Sequence, residues 1–262
     1  MTLSNKWPDI VQCHGLTKDP LSGNYMLVMT KADSDLRTYL QQNHNKLTWA
    51  ERIKVVSNIT LAITRIHKEN AIHRDLHSGN ALFKQANQRF FISDLGFCGP
   101  ANKPLNSIYG NLPYIAPEVI TEKKTTFASD IYSIGMLMWE ISSGQPPFIN
   151  YEHDYDLAMK IVNGIRPKIV PGTPSEYRKL MKQCWEADQT KRPNISILRK
   201  EIRELEKLYL QNKNNEQITS NQESNISGVS NSTDSISKIY TSKIYQFENF
   251  PEPRNATEGM II

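Results

Sequence analysis

Apolar residues recur at helical spacing along "LTWAERIKVVSNITLAITRIHKEN", where Ile53, Val56, Ile59, Ile63 and Ile66 fall on one face. Thr48 followed three residues later by Glu51 supplies a capping box, so the stretch predicts one long helix with a single buried side. "SDIYSIGMLMWEISSG" behaves differently. Ile131, Ile134, Leu137 and Ile141 share a face, but apolar groups on the other faces predict near-complete burial, with Gly144 ending the helix. "TPSEYRKLMKQCW" predicts a third helix, opened by a second capping box from Thr173 to Glu176. "SILRKEIRELEKLYL" predicts a fourth, with Leu198, Ile202, Leu205 and Leu208 on one stripe.

Strand patterns are fewer and come early. "IVQCHGL" and "NYMLVM" are short apolar runs joined by the turn-rich "TKDPLSG", which predicts an antiparallel hairpin. "NALF" and "RFFIS" flank "KQANQ" and predict a second hairpin. After about Asn212 the pattern stops. "NKNNEQITSNQESNISGVSNSTDSIS" has almost no large apolar groups, and a segment that buries so little cannot offset its ordering entropy, so residues 212–262 are expected to form a mostly disordered tail. Within it lie the tandem repeat "SKIYTSKIY" and the aromatic, proline-bearing "FENFPEPRN", which has the composition of a docking peptide.

Composition narrows the class. A chain of 262 residues with 39% hydrophobic and 22% charged residues is that of a globular protein. The net charge of +4 is small and scattered, which argues against nucleic acid as a partner. No apolar run approaches a membrane span and "MTLSNKWPDI" lacks the pattern of a signal peptide, so no membrane partner and a cytoplasmic location are expected. The glycosylation-type triplets at Asn58 and Asn255 then read as accidents of composition. Cys13, Cys98 and Cys184 are far apart and odd in number, so reduced thiols are expected.

The chemistry concentrates in "AIHRDLHSGNALF". Asp75 is placed to handle a proton, and Asn80 follows five residues later, just before a predicted strand. The partner strand delivers Asp94 at its far end, so the second hairpin brings two oxygen ligands to one end of a ribbon. A carboxylate and an amide carbonyl, completed by water or phosphate, suit a hard cation such as Mg²⁺.

These residues carry a resemblance to the protein kinases. His73, Arg74, Asp75 and Asn80 match the family's catalytic-loop pattern, "SDLG" from Ser93 to Gly96 resembles its metal-binding motif, and Ala116 to Glu118 resembles the end of its activation loop. Asp130, "PPF" and "CWEADQTKRP" follow in the family's order, and the last, with Trp139-Glu140, is most similar to the tyrosine-kinase-like branch. The resemblance covers roughly Asp9 to Leu210. It implies an α+β, protein-kinase-like fold: residues 1–32 as a remnant of the small β lobe with its hinge, residues 33–211 as the mainly helical large lobe, and the tail beyond.

The roles implied are those of ATP-dependent phosphoryl transfer to serine or threonine of a protein substrate, with tyrosine as the alternative acceptor. Asp75 accepts or orients the proton of the acceptor hydroxyl, while Asn80 and Asp94 hold Mg²⁺ against the phosphates. Met29 is the gatekeeper and is expected to be buried. The backbone from Thr30 through Lys31 to Ala32 is the hinge for the adenine, and Leu82 its floor. Arg74 is a grip for a phosphate that an upstream kinase adds to the activation loop, with Ser107 and Tyr109 as candidate acceptors. Glu118 and Arg192 are a structural ion pair, and Asp130 a structural residue at the head of the buried helix.

Departures from the family pattern also carry implications. Leu95 replaces a usual phenylalanine and keeps an apolar plug. His77 stands where serine/threonine kinases carry a phosphate-binding lysine, and Asn111 where they carry threonine, which weakens contacts on the phosphate side while leaving a histidine able to donate, more so when protonated. In the family the glycine-rich loop and the ATP-positioning lysine precede the point where this sequence starts. The resemblance thus implies a kinase truncated before its fourth strand, with weak or absent phosphotransfer by the chain as given. The alternative implied is a non-catalytic module that binds protein partners through its helical lobe and tail.

Overall fold

A computed structural model describes residues 3–100, 107–216 and 241–255. The chain opens with a short helix α1 (Leu3–Lys6), the strands β1 (Cys13–Lys18), β2 (Tyr25–Met29) and β3 (Ser34–Asp35), and the helix α2 (Leu36–Asn43). The helix α3 (Trp49–Lys68) leads to β4 (Ala71–Ile72), β5 (Ala81–Lys84), β6 (Arg89–Ile92), β7 (Gly99–Pro100) and β8 (Ile108–Gly110). Helices follow: α4 (Pro117–Glu122), α5 (Phe127–Ser143), α6 (Tyr155–Val162), α7 (Ser175–Cys184) and α8 (Ile195–Glu216), with a last strand β9 (Lys243–Tyr245). The strands pair antiparallel in four small groups, β1-β2, β3-β5-β6, β4-β7 and β8-β9. The arrangement is α+β, as the patterning predicts, and among the described residues no helix is long and apolar enough to cross a membrane.

The long helices form where the hydrophobic periodicity places them. In α3 the capping box is complete: the Thr48 hydroxyl accepts from the Glu51 amide and the Glu51 carboxylate accepts from the Thr48 amide. Its apolar face is buried, against α8, α5 and β6. The centre of the core is α5, buried from Ser129 to Ser142 and closed by Gly144 in the left-handed conformation. Asn58, on α3, accepts from the Phe90 amide at 3.0 Å and so ties the β5-β6 hairpin to the helix. Cys13, Cys98 and Cys184 are free thiols.

Several expectations need correction. The capping box at Thr173 does not form. The Thr173 hydroxyl donates instead to the Val170 carbonyl at 2.7 Å, the helix starts at Ser175 behind Pro174, and Glu176 accepts from Ser175. The preceding turn competes for the hydroxyl and wins. The buried stripe of α8 stops at Leu205, and Leu208, one turn further, is 46% exposed. Met29 is 39% exposed rather than buried, because β1 and β2 pair only with each other and every residue of β2 faces solvent.

The tail also departs from expectation. The helix α8 runs to Glu216, and residues 241–255 lie ordered against the helical body, with Tyr245 only 6% exposed. Aromatic burial outweighs the ordering entropy in that stretch, which the composition averaged over residues 212–262 conceals. Residues 217–240 and 256–262 lie outside the described residues, as does the first copy of the tandem repeat, Ser237 to Tyr240.

Candidate active site

The loop from His73 to Asn80 follows β4 and is held from beneath by one buried carboxylate. Asp130, near the start of α5, accepts from the His73 amide at 2.9 Å, the Arg74 amide at 3.0 Å and the His67 ring at 2.8 Å. Burial alone pushes Asp130 up, but the bond and charge of His67, with His73 adding to them, outweigh burial and hold its carboxyl below the ordinary value. Arg74 adopts a left-handed backbone with φ of 72°, a strain the two amide bonds to Asp130 offset. The His73 ring spans the gap to the next segment, reaching the Ser93 carbonyl at 3.0 Å through Nε2 while Nδ1 accepts from the Asp75 amide at 3.3 Å.

Asp75 is buried, and burial pushes its carboxyl above the ordinary value, with the charge of Asp94 adding to the rise. Its Oδ1 accepts from the hydroxyl of Ser242, a residue of the tail, at 2.8 Å. The same hydroxyl lies 3.1 Å from His77 Nε2. His77 Nδ1 accepts from the Gly79 amide at 3.1 Å, which assigns the ring proton to Nε2, so His77 donates to the Ser242 oxygen and Ser242 donates to Asp75. Burial, with the charges of Arg37 and His73, pushes the His77 imidazole down to about 3, so it is neutral near pH 7. This corrects the expectation that protonation strengthens its contact with phosphate. Gly79 is required here, since a Cβ at that position would lie 2.9 Å from the His77 ring. Gly110, with φ of +139°, likewise lets β8 approach Asp75, where a Cβ would lie 3.3 Å from Oδ1.

The cation ligands predicted from sequence stand at one end of the β5-β6 hairpin. Ala81 pairs with Ile92, and the Ser93 amide and hydroxyl both donate to the Asn80 carbonyl, at 2.9 and 3.2 Å. Asn80 Nδ2 donates to the Asp75 carbonyl at 2.9 Å, which fixes the amide and leaves Oδ1 with no hydrogen-bond partner among the described residues. Asp94 is exposed and left-handed, with φ of 56°. No cluster of three or more His, Cys, Asp or Glu side chains suited to a metal occurs among the described residues. By its chemistry, a donor set of one carboxylate and one amide oxygen fits a cation that takes its other ligands from water or phosphate, as Mg²⁺ does.

The hinge residues Thr30 to Ala32 lie between β2 and β3. Thr30 donates its amide to the Gln12 carbonyl at 2.9 Å, while the backbones of Lys31 and Ala32 make no hydrogen bond among the described residues. Leu82 is half-buried in β5, opposite Asp35 and Phe91. The Arg74 guanidinium donates to the carbonyls of Phe97 and Pro100, at 3.4 and 2.7 Å, and so holds the start of the segment that the resemblance makes the activation loop. Ser107 is half-buried, and Tyr109, in β8, stacks on Phe97 with ring centroids 3.7 Å apart. Glu118 and Arg192 form a buried two-pronged pair with both bonds at 2.7 Å, and Arg192 also donates to the carbonyls of Glu186 and Ala128.

Sequence reasoning missed two parts of the site. One is the buried group beneath the catalytic loop, in which the Tyr114 hydroxyl donates to Glu140 at 2.6 Å beside Ser78 and Arg37. The other is Ser242. Its only advance signal was the repeat "SKIYTSKIY", which has no helix or strand period to mark it as folded.

A buried carboxylate, a fixed amide oxygen and an exposed carboxylate stand on one loop and one hairpin, in the order and spacing of the protein kinases. Comparison with known proteins agrees. The family model for protein tyrosine and serine/threonine kinases matches residues 1–202, and the chain belongs to the protein kinase family. It is 30% identical over 196 residues to the probable serine/threonine-protein kinase pats1 of Dictyostelium discoideum, covering 72% of this chain and 6% of that protein. It is 31% identical over 205 residues to the dual serine/threonine and tyrosine protein kinase of Mus musculus, covering 75% of this chain and 22% of that protein. The same-named protein of Gallus gallus is 31% identical over 177 residues, 66% of this chain and 18% of its own length. The chain thus spans less than a quarter of the curated relatives it matches.

Proposed function

We propose that the chain provides the catalytic lobe for transfer of the γ-phosphoryl group of ATP to a serine or threonine hydroxyl of a protein, with Mg²⁺ as cofactor. The observation that carries this reading is the tie between Asn80 and Asp75: the bond that orients the loop consumes the amide nitrogen of Asn80 and turns its oxygen outward at the end of the hairpin that presents Asp94. When bound there, Mg²⁺ supplies positive charge against the phosphate oxygens. The residues of the chain do the rest. Asp75 orients the acceptor hydroxyl and takes its proton, and its raised affinity for a proton favours that transfer. The unpaired backbone of Lys31 and Ala32 offers hydrogen bonds to the purine, and Leu82 offers it an apolar surface. His77, neutral and within 3.1 Å of the hydroxyl that bonds to Asp75, is placed to orient a nucleophile there instead of neutralising phosphate.

A second reading, a module that binds partners without catalysis, draws support from that same neutral His77 and from the solvent-facing β2 strand. One experiment separates the two. The chain is incubated with Mg²⁺ and γ-labelled ATP, beside Asp75→Asn. The catalytic reading predicts label transfer to protein serine or threonine, reduced by roughly 10²- to 10⁴-fold in the variant, the usual contribution of a positioned acid–base group. Equal labelling in both proteins overturns the role of Asp75, and no transfer in either favours the non-catalytic reading.

A further inference from the structure

We propose that residues 241–255 occupy the acceptor groove of their own chain as a bound substrate, and that Ser242 is a serine this site phosphorylates in cis. The acceptor role rests on the reading above, whereas the docking of the segment stands on geometry alone.

Three independent contacts seat the segment. β9 pairs antiparallel with β8 in the register Ile108 with Tyr245, Tyr109 with Ile244 and Gly110 with Lys243, so the tail adds a strand to the edge that borders Asp75. Tyr245 inserts into the core, and Phe247 and Phe250 pack on Tyr155 of α6 with ring centroids 5.8 and 5.1 Å away. At the far end the Arg254 amide donates to the Val162 carbonyl at 2.9 Å, satisfying one of the free carbonyls at the end of α6. Asn255 accepts from the Ala187 amide at 2.8 Å and donates to Glu186. Backbone pairing and aromatic anchoring fix the register of the segment, and that register delivers one hydroxyl to one carboxylate.

The position of Ser242 is that of a reactant and not of a filler. Its oxygen receives the His77 proton donor and its own hydroxyl lies on Asp75, with the Tyr109 side chain also within hydrogen-bonding reach, so the acceptor oxygen sits among the groups that orient it and the carboxylate that takes its proton. In the step, a bond forms between the Ser242 oxygen and the γ-phosphorus of ATP. The bond from that phosphorus to the β,γ-bridging oxygen breaks, ADP leaves with the electron pair, and the serine proton goes to Asp75. The product places a phosphate of about −1.5 to −2 charge against a carboxylate, which repels the tail from the groove. The acceptor class follows from the register: a serine followed at the third position by an aromatic that fills the pocket of Tyr245. The chain carries that pattern twice, since Ser237-Lys238-Ile239-Tyr240 repeats it five residues earlier.

Hydrogen exchange on the full chain tests the docking. Amides in 108–110 and 243–245 are expected to exchange at least tenfold slower than an unstructured peptide. Tyr245→Ala is expected to speed both segments together while α5 stays unchanged, showing that the variant remains folded. Exchange of 243–245 at the unstructured rate in the parent chain overturns the docking, as does release of one segment without the other. After incubation with Mg²⁺ and ATP, site mapping is expected to find phosphate on Ser242, formed at a rate independent of protein concentration and followed by loss of protection at 243–245. Phosphate confined to other residues, or a rate that rises with concentration, overturns the cis-acceptor role. Protected amides with no phosphate anywhere overturn the acceptor role through failure of the catalytic reading, while the docking stands.

Discussion

At the scale of single residues, the site is built from groups whose partners are set by the fold. Arg192 and Glu118 show the cost of breaking such a pair. Both are buried and bonded at two points, so Arg192→Ala leaves a carboxylate without its cation and is expected to lower stability by about 3 to 5 kcal/mol. Urea denaturation reads this as a lower midpoint at unchanged slope; a loss below 1 kcal/mol contradicts the assignment. The placement of Asp75, Asn80 and Asp94 was legible in the sequence because they lie within twenty residues on one loop and one hairpin, whose pairing is local. Ser242 was not. It meets Asp75 across 167 residues of chain, a contact that depends on how the whole lobe closes and that no local pattern encodes.

At the scale of elements, helices were read well where periodicity and capping agree. The start of α3 depends on the reciprocal bonds of Thr48 and Glu51, so Thr48→Ala is expected to cost about 1 kcal/mol, measured as a shift in thermal midpoint. Thr173 carries the same pair of residue types at the same spacing, yet its hydroxyl serves the turn before the helix, so Thr173→Ala is expected to leave the α7 start intact. The capping pattern alone cannot distinguish the two, because the deciding group is a carbonyl three residues upstream. The two hairpins were legible from apolar runs and turns. The short strands β3, β4, β7, β8 and β9 were not, since two or three residues carry no readable alternation and their pairing is imposed by the lobe.

At the scale of the whole molecule, the tail and the helical lobe form one body, and its stability depends on pH. His153 is buried, and burial together with the charges of Lys243 in the tail and Arg37 in α2 pushes it down to about 4, against the opposing pull of Asp154. A histidine held below its unfolded value of about 6.5 contributes stability that is full above that pH and is lost as pH falls toward the folded value. From these two values the loss is about 2 kcal/mol by pH 5. His153→Gln is expected to flatten the dependence of unfolding free energy on pH between 6.5 and 4; an unchanged slope contradicts it.

In the proposed function Asn80 and Asp94 form a cation site that holds a nucleotide beside Asp75. Calorimetric titration of the full chain with ATP, with and without Mg²⁺, tests it most directly. Mg²⁺ is expected to tighten binding, and Asp94→Asn to remove the difference while leaving any metal-independent binding unchanged. Binding that ignores Mg²⁺, or that keeps its Mg²⁺ dependence in Asp94→Asn, contradicts it.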